Sequence, residues 1–213
     1  KVIATAEQIQ HGQELYQSRG LQQYGSVLGH GAYIGTDFTA EYLRLTTDAA
    51  VKQYREEGKQ EPRELVKNEW RKENKYDESS KTLNWTAGQT KGFDQMVNHY
   101  RDTLTKDNTS QGLFPNAIKS EEELHDLVAF FGWTAWASAA ERPNQDYTYT
   151  NNWPAEANVD NKPTADLMVW SALSLIALVG GTGLMFAIYG RWSRTIGWHG
   201  EEAPVLDFRQ PDE

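Results

Sequence analysis

Residues 167–190 read LMVWSALSLIALVGGTGLMFAIYG and contain no Asp, Glu, Lys, Arg or His. As a helix rising about 1.5 Å per residue this stretch is roughly 36 Å long, enough to cross a hydrocarbon layer of about 30 Å. It predicts a transmembrane helix, because helices buried in soluble domains seldom run so far without a charge. Its position near the C-terminal end argues against a signal peptide. Asp166 closes one end, whereas Arg191, Trp192 and Arg194 close the other, so the positive-inside rule expects residues 191–213 in the cytoplasm. Trp170, Tyr189 and Trp192 suit interfacial belts. Ala177 and Gly181, and again Gly183 and Ala187, are spaced to let another helix approach closely.

The rest of the chain is very different. The 213 residues have a formal charge of −9, from 21 Lys and Arg against 30 Asp and Glu. The mean hydropathy is −0.71 in spite of the apolar helix. Residues 1–166 hold 18 of the basic and 25 of the acidic groups, a net of −7. That balance argues against binding a nucleic-acid backbone. With no cysteine, the chain also lacks disulfides, thiolate metal sites, a Cys nucleophile and a thioether-linked haem. The orientation expects residues 1–166 outside the inner (cytoplasmic) membrane, in the periplasm or its equivalent. The chain begins at Lys1 and ends in DFRQPDE, which reads as a piece of something longer.

The exported part predicts an all-α domain over residues 1–140. Thr5 with Gln8 makes a capping box for a helix from Ala6 to Ser18, ended by Gly20. Gln22 to Thr39, with four glycines, predicts an irregular loop. TTDAAVKQYREEG can be capped by Thr47 and stopped by Gly58, and a further helix opens at Pro62. Thr82 to Thr86 predicts a short strand. Gln89 to Lys106 returns to helical spacing along Phe93, Met96, Val97, Tyr100 and Leu104. Ser120 and Glu123 predict a second capping box, ahead of Leu124, Leu127, Val128, Phe131 and Ala135. Residues 141–166 are polar with three prolines and predict an extended linker to the membrane helix at 167–190.

No catalytic constellation emerges. The five histidines lie at 11, 30, 99, 125 and 199, and no two have the spacing of a helical metal pair. The runs Glu56–Glu57 and Glu121–Glu123 suit a solvated face and a helix N-terminus, and no phosphate loop occurs. The glycine loop could offer main-chain carbonyls to a hard cation or a partner.

Three stretches carry a resemblance. They are GQELYQSRGLQQYGSVLGHGAYIGTDFTAEYL from Gly12 to Leu43, GLFPNAIKSEEELHDLVAFFGWTAWASA from Gly112 to Ala139, and the tail from NNWPAEANVDNKP at Asn151 through YGRWSRTIGWHGEEAPVLDFRQPDE. They resemble the N-terminal region of quinol-dependent nitric oxide reductases, in which one polypeptide joins a cytochrome c-like extracytoplasmic domain to a membrane part of the haem–copper oxidase type.

The resemblance implies a haem-less version of that domain. Where cytochrome-bearing relatives carry CxxCH, this chain has LQQYG, so the thioether positions are Leu21 and Tyr24 and the axial position is Gly25. The Met-Pro axial turn corresponds to Phe114-Pro115. Leu21, Tyr24 and Phe114 are then expected to fill the space of the lost haem, leaving quinol to deliver electrons directly to the membrane part. Gly31 and Tyr33 match residues that contribute calcium ligands in the cytochrome-dependent relatives. Haem b, haem b₃ and non-haem iron, which reduce nitric oxide to N₂O, are implied beyond Glu213 in a catalytic membrane domain of the same polypeptide. This segment by itself is then non-catalytic, with the lipid bilayer and that domain as partners, and a homodimer is left open. A different reading is a standalone membrane-tethered module docking on a separate reductase chain. An exported small-molecule binding protein ranks below both. The insertion between Thr46 and Asn108 has no role assigned by the resemblance.

Overall fold

The computed structural model describes residues 4–73, 76–77, 79–80, 82–106, 109, 112–192 and 195. It is mostly helical and divides into two units, residues 1–164 and residues 165–213.

In the first unit, α1 spans Ala6–Ser18, and its start follows the sequence signal. Thr5 Oγ1 accepts from the Gln8 amide at 3.3 Å, and the Gln8 side chain accepts from the Thr5 amide at 3.0 Å. The two bonds satisfy donors that a helix start leaves orphaned. The chain reverses at Gly20, φ +69°, and enters a 3₁₀ turn at Leu21–Gln23. The glycine loop then forms a two-residue antiparallel hairpin, β1 (Ser26–Val27) with β2 (His30–Gly31).

The next helix departs from expectation. α2 spans Phe38–Glu56 and begins nine residues before the expected cap at Thr47. Asp37 is the cap, accepting from the Ala40 amide at 2.9 Å. Thr46 and Thr47 lie inside the helix, where their buried hydroxyls bond back to the carbonyls of Tyr42 and Leu43. A threonine with its hydroxyl turned on its own helix cannot serve as a start signal.

α3 opens at Pro62 and spans Pro62–Lys67, then widens into a π-helical turn over Asn68–Lys72. The wider turn brings three consecutive residues, Glu69, Trp70 and Arg71, into the interior. The expected strand at Thr82 to Thr86 is shorter. β4 (Thr82–Leu83) pairs antiparallel with β3 (Tyr76–Asp77). Thr86 instead caps α4 (Ala87–Leu104) through a reciprocal box with Gln89. Ser120 caps α5 (Glu121–Ala139), but the Glu123 carboxylate does not return the bond to Ser120. It accepts from the Lys119 amide and from Arg19.

α5 is the central element, buried along most of its length and packed by α1, α2 and α4. α1 comes closest: a Cβ on Gly12 would lie 2.0 Å from the Asp126 carbonyl oxygen. At the centre Phe38, Tyr42, Tyr100 and Phe131 are fully buried. Burying each such ring contributes about 1.5–3 kcal/mol.

Residues 141–161 differ from the extended linker read from the sequence. They turn back on the bundle, burying Thr148, Asn152, Asn158, Val159 and Asn161 around one 3₁₀ turn at Ala157–Val159. Polar composition concealed this, because the buried groups are amides and hydroxyls satisfied by specific partners rather than apolar side chains.

In the second unit, α6 spans Ala165–Trp192 and includes the whole of the apolar stretch. It is long and apolar enough to cross a membrane, and none of its hydrophobic window is buried by protein. The cytoplasmic connector expected over 191–213 lies outside the described residues except for Arg191, Trp192 and Thr195.

Candidate functional site

The LQQYG window and the glycine loop meet where α1 ends and α2 begins. Leu21 is buried in the core beside the start of the 3₁₀ turn. Gly25 is also buried and donates its amide to the Leu21 carbonyl at 3.0 Å. A Cβ on Gly25 would stand 2.4 Å from the Thr36 carbonyl and 2.8 Å from the Phe38 ring. The axial position therefore has no room for any side chain, histidine included. Tyr24 is half-buried, 6.4 Å from the Phe38 ring, and its carbonyl accepts from Gly35 at 2.6 Å.

The space beyond these residues is occupied by rings. Phe38 and Phe131 stack, Tyr100 meets both edge-on at 5.8 and 5.2 Å, and Tyr16 approaches Phe38 edge-on at 6.1 Å. A close-packed aromatic core of this kind leaves no crevice for a macrocycle. With no thiol in the chain and no space at Gly25, the residues do not fit a covalently held haem. Phe114, however, does not fill the interior as expected. It is 56% exposed and lies over Gly20, while its neighbours Leu113, Ala117 and Ile118 are buried. Leu21 and the rings from α1, α2, α4 and α5 do the filling instead.

Tyr16 ties the loop to α1. Its hydroxyl donates to the carbonyls of Gly25 and His30, at 3.0 and 3.2 Å. Burial, with Asp37 nearby, pushes the phenol up to about 12, so it stays a donor at any physiological pH. Gly31 completes the contact at φ +142°, where a Cβ would lie 2.5 Å from the Gly25 carbonyl and 2.9 Å from the Tyr16 hydroxyl. Only glycine suits that backbone and that gap. Asp37, which the sequence reading passed over, is the loop's other anchor. One carboxylate oxygen accepts from Ser26 Oγ and the Gly29 amide, both at 2.8 Å, while the other caps α2. The signal was present as an Asp one residue before the first apolar position of TDFTAEYL.

Gly31 and Tyr33 do not by themselves make a calcium cage. Tyr33 is 84% exposed and its hydroxyl donates to the Gly29 carbonyl at 3.3 Å. Calcium takes six to eight oxygens, and the carboxylate at this loop, Asp37, is already engaged by three donors. Among the described residues no group of three or more His, Asp or Glu side chains could hold a metal.

On the other side of α1 and α5 an apolar groove of about 870 Å³ is lined by Ile9, Tyr76, Leu83, Trp133, Trp136 and Tyr149. Glu7 is the sole carboxylate among the described residues lining it, so it holds no acid–base pair. The four described histidines divide between two carboxylates and a main-chain carbonyl. His11 and His125 both approach Asp126, at 2.8 and 3.4 Å, whereas His99 pairs with Glu41 and His30 turns to the Leu28 carbonyl.

Comparison with curated proteins finds no match. The family model for the cytochrome c-like domain of the nitric oxide reductase protein NorB matches residues 1–155. Those residues take in α1 to α5, the LQQYG window and the glycine loop, and the chain belongs to that family.

Proposed function

We propose that this chain is the exported domain and the following membrane helix of a quinol-dependent nitric oxide reductase, and that the domain is structural and carries no electrons. The whole enzyme would catalyse 2 NO + quinol → N₂O + H₂O + quinone, in which quinol supplies both electrons and both protons. The observation that supports this reading is the packing at Leu21 and Gly25. The positions that would grip a haem in a cytochrome are closed by backbone and aromatic rings. A domain without a redox centre offers no relay from a soluble donor, so electrons would enter in the membrane. The proposed orientation keeps residues 1–164 outside the cytoplasmic membrane, with Arg191 and Arg194 marking the inner side.

The test is donor preference in the full-length protein. Nitric oxide consumption should be rapid with a quinol analogue and near background with reduced cytochrome c, and residues 1–164 should give no haem Soret band. Comparable turnover on cytochrome c, or a Soret band from the domain, would overturn the reading. A calcium ion at Gly31 and Tyr33 would need further oxygens from the membrane part. An unchanged calcium content in full-length Tyr33→Ala would remove it from the proposal.

A further inference from the structure

Arg71 occupies an unusual position: its side chain is 7% exposed and all five of its N–H donors are used. Nε donates to Glu141 at 2.6 Å. One terminal nitrogen donates to Asn161 Oδ1 at 2.9 Å and to the Val159 carbonyl at 3.5 Å. The other donates to the Asp146 carbonyl at 2.9 Å and to Asn152 Oδ1 at 3.1 Å. Every one of these acceptors lies in residues 141–161. The Arg71 carbonyl also accepts from the Glu141 amide at 3.0 Å.

Little else in that segment would hold it in place. It contains no regular element beyond the 3₁₀ turn at Ala157–Val159, and Val159 is its one fully buried large aliphatic side chain. Four of its residues, Asn144, Asn151, Asn152 and Asp160, sit at positive φ, so the backbone runs through turns rather than a regular element. Beyond a ring contact of Tyr149 with Trp136 at 5.6 Å and the Trp153 ring against Gly29, its other fastenings are polar. Asn161 donates to the Ser138 and Pro154 carbonyls, and Asn158 donates to Thr47 and Asp48.

We propose that Arg71 is a latch that fastens residues 141–161 as a strap onto the helical bundle, so that only residues 162–164 separate the fastened strap from the membrane helix. Released, the tether would run over residues 141–164, from roughly 10 Å to roughly 80 Å of extended chain at about 3.4 Å per residue. The π-helical turn is what delivers Arg71 to this position, between buried Trp70 and the strap. The insertion between Thr46 and Asn108 thereby gains a role, since it carries the latch that governs how the domain is tethered. The inference does not depend on the reductase reading.

Hydrogen exchange on the full chain in lipid nanodiscs tests it. In Arg71→Ala the amides of Glu141, Thr148, Asn152 and Asn161 should exchange at least about tenfold faster, as expected for losing charge-assisted bonds, while α1, α2 and α5 keep their protection. Arg71→Lys, with three donors for five acceptors, should fall between Arg71→Ala and the parent. The double variant Asn152→Ala, Asn161→Ala leaves Arg71 in place and should open the same segment, and adding Arg71→Ala to it should add little, because the groups form one network. Unchanged exchange in the strap of Arg71→Ala would overturn the proposal. So would a loss of protection across the helices in both Arg71→Ala and the double variant, which would make Arg71 a general core residue.

Discussion

Phe38 and Phe131 stack face to face at 4.5 Å with their planes 3° apart, at the point where the first residue of α2 meets the middle of α5. The pair occupies the centre of a ring cluster that also takes in Tyr16, Tyr100 and Phe130. Phe38→Ala should destabilise the domain by about 3–5 kcal/mol, measured by denaturant unfolding, because the surrounding rings can collapse only partly into the space.

The Tyr42 hydroxyl is buried in the same core and has no hydrogen-bond partner among the described residues. Burial holds its pKa well above the ordinary tyrosine value, so it is a neutral polar group paying for desolvation without a bond in return. Tyr42→Phe keeps the ring and removes the orphan. It should leave stability unchanged or raise it by up to about 1 kcal/mol, whereas Tyr100→Phe, which loses a 2.9 Å bond to Glu41, should not be stabilising.

Asp37 supports three donors on two segments. Asp37→Ala removes a helix cap and two loop anchors together, for a cost of roughly 2–3 kcal/mol. The Gly29 amide should lose exchange protection more than any amide in α5, which separates loop release from general unfolding.

His11 Nδ1 lies 2.8 Å from Asp126, and this hydrogen bond is the main cause that raises its pKa above 6.5. A histidine raised on folding contributes its full stabilisation below the unfolded pKa and loses it as pH rises through the folded one. The stability gap between the parent and His11→Gln should therefore be widest below pH 6.5 and shrink as the pH rises above it. The side chain is 48% exposed, so the gap should be only a few tenths of a kcal/mol. Gln8 also donates to Asp126, at 3.0 Å, and keeps the carboxylate partnered when His11 is neutral. A gap that widens with pH would contradict this assignment.

A chain without cysteine is suited to single-site labelling. Lys162→Cys should react with an impermeant maleimide in intact spheroplasts, and Thr195→Cys only after permeabilisation. The reverse pattern would invert the proposed orientation.

How legible these features were in the sequence depended on the range of the forces involved. α1, α3, α6 and the Ser120 start of α5 were visible because caps, proline and hydrophobic runs act within a few residues. The same local grammar misled at Thr47, which is interior to α2, and at Thr86, which caps α4 rather than ending a strand. It also suggested that Glu123 would complete a box with Ser120, when Arg19, 104 residues away, takes that carboxylate instead. Phe114 was expected inside because it stands at the axial turn that the resemblance implies, but its neighbours Leu113 and Ile118 claimed the interior.

The sequence by itself determined a cysteine-free, helix-rich, acidic domain followed by one uncharged helix, because composition and short-range periodicity are properties of the chain alone. Only the tertiary structure decided what filled the space at Leu21 and Gly25, that Asp37 anchors the glycine loop, and that residues 141–161 form a strap rather than a linker. The Asp37 contacts span only three to eleven residues but depend on the fold of the loop, whereas the ring packing and the strap rest on contacts between segments far apart in the chain. The strap is the clearest case: its polar residues read as solvent-facing until Arg71, some seventy to ninety residues earlier, supplies the donors that make their burial favourable.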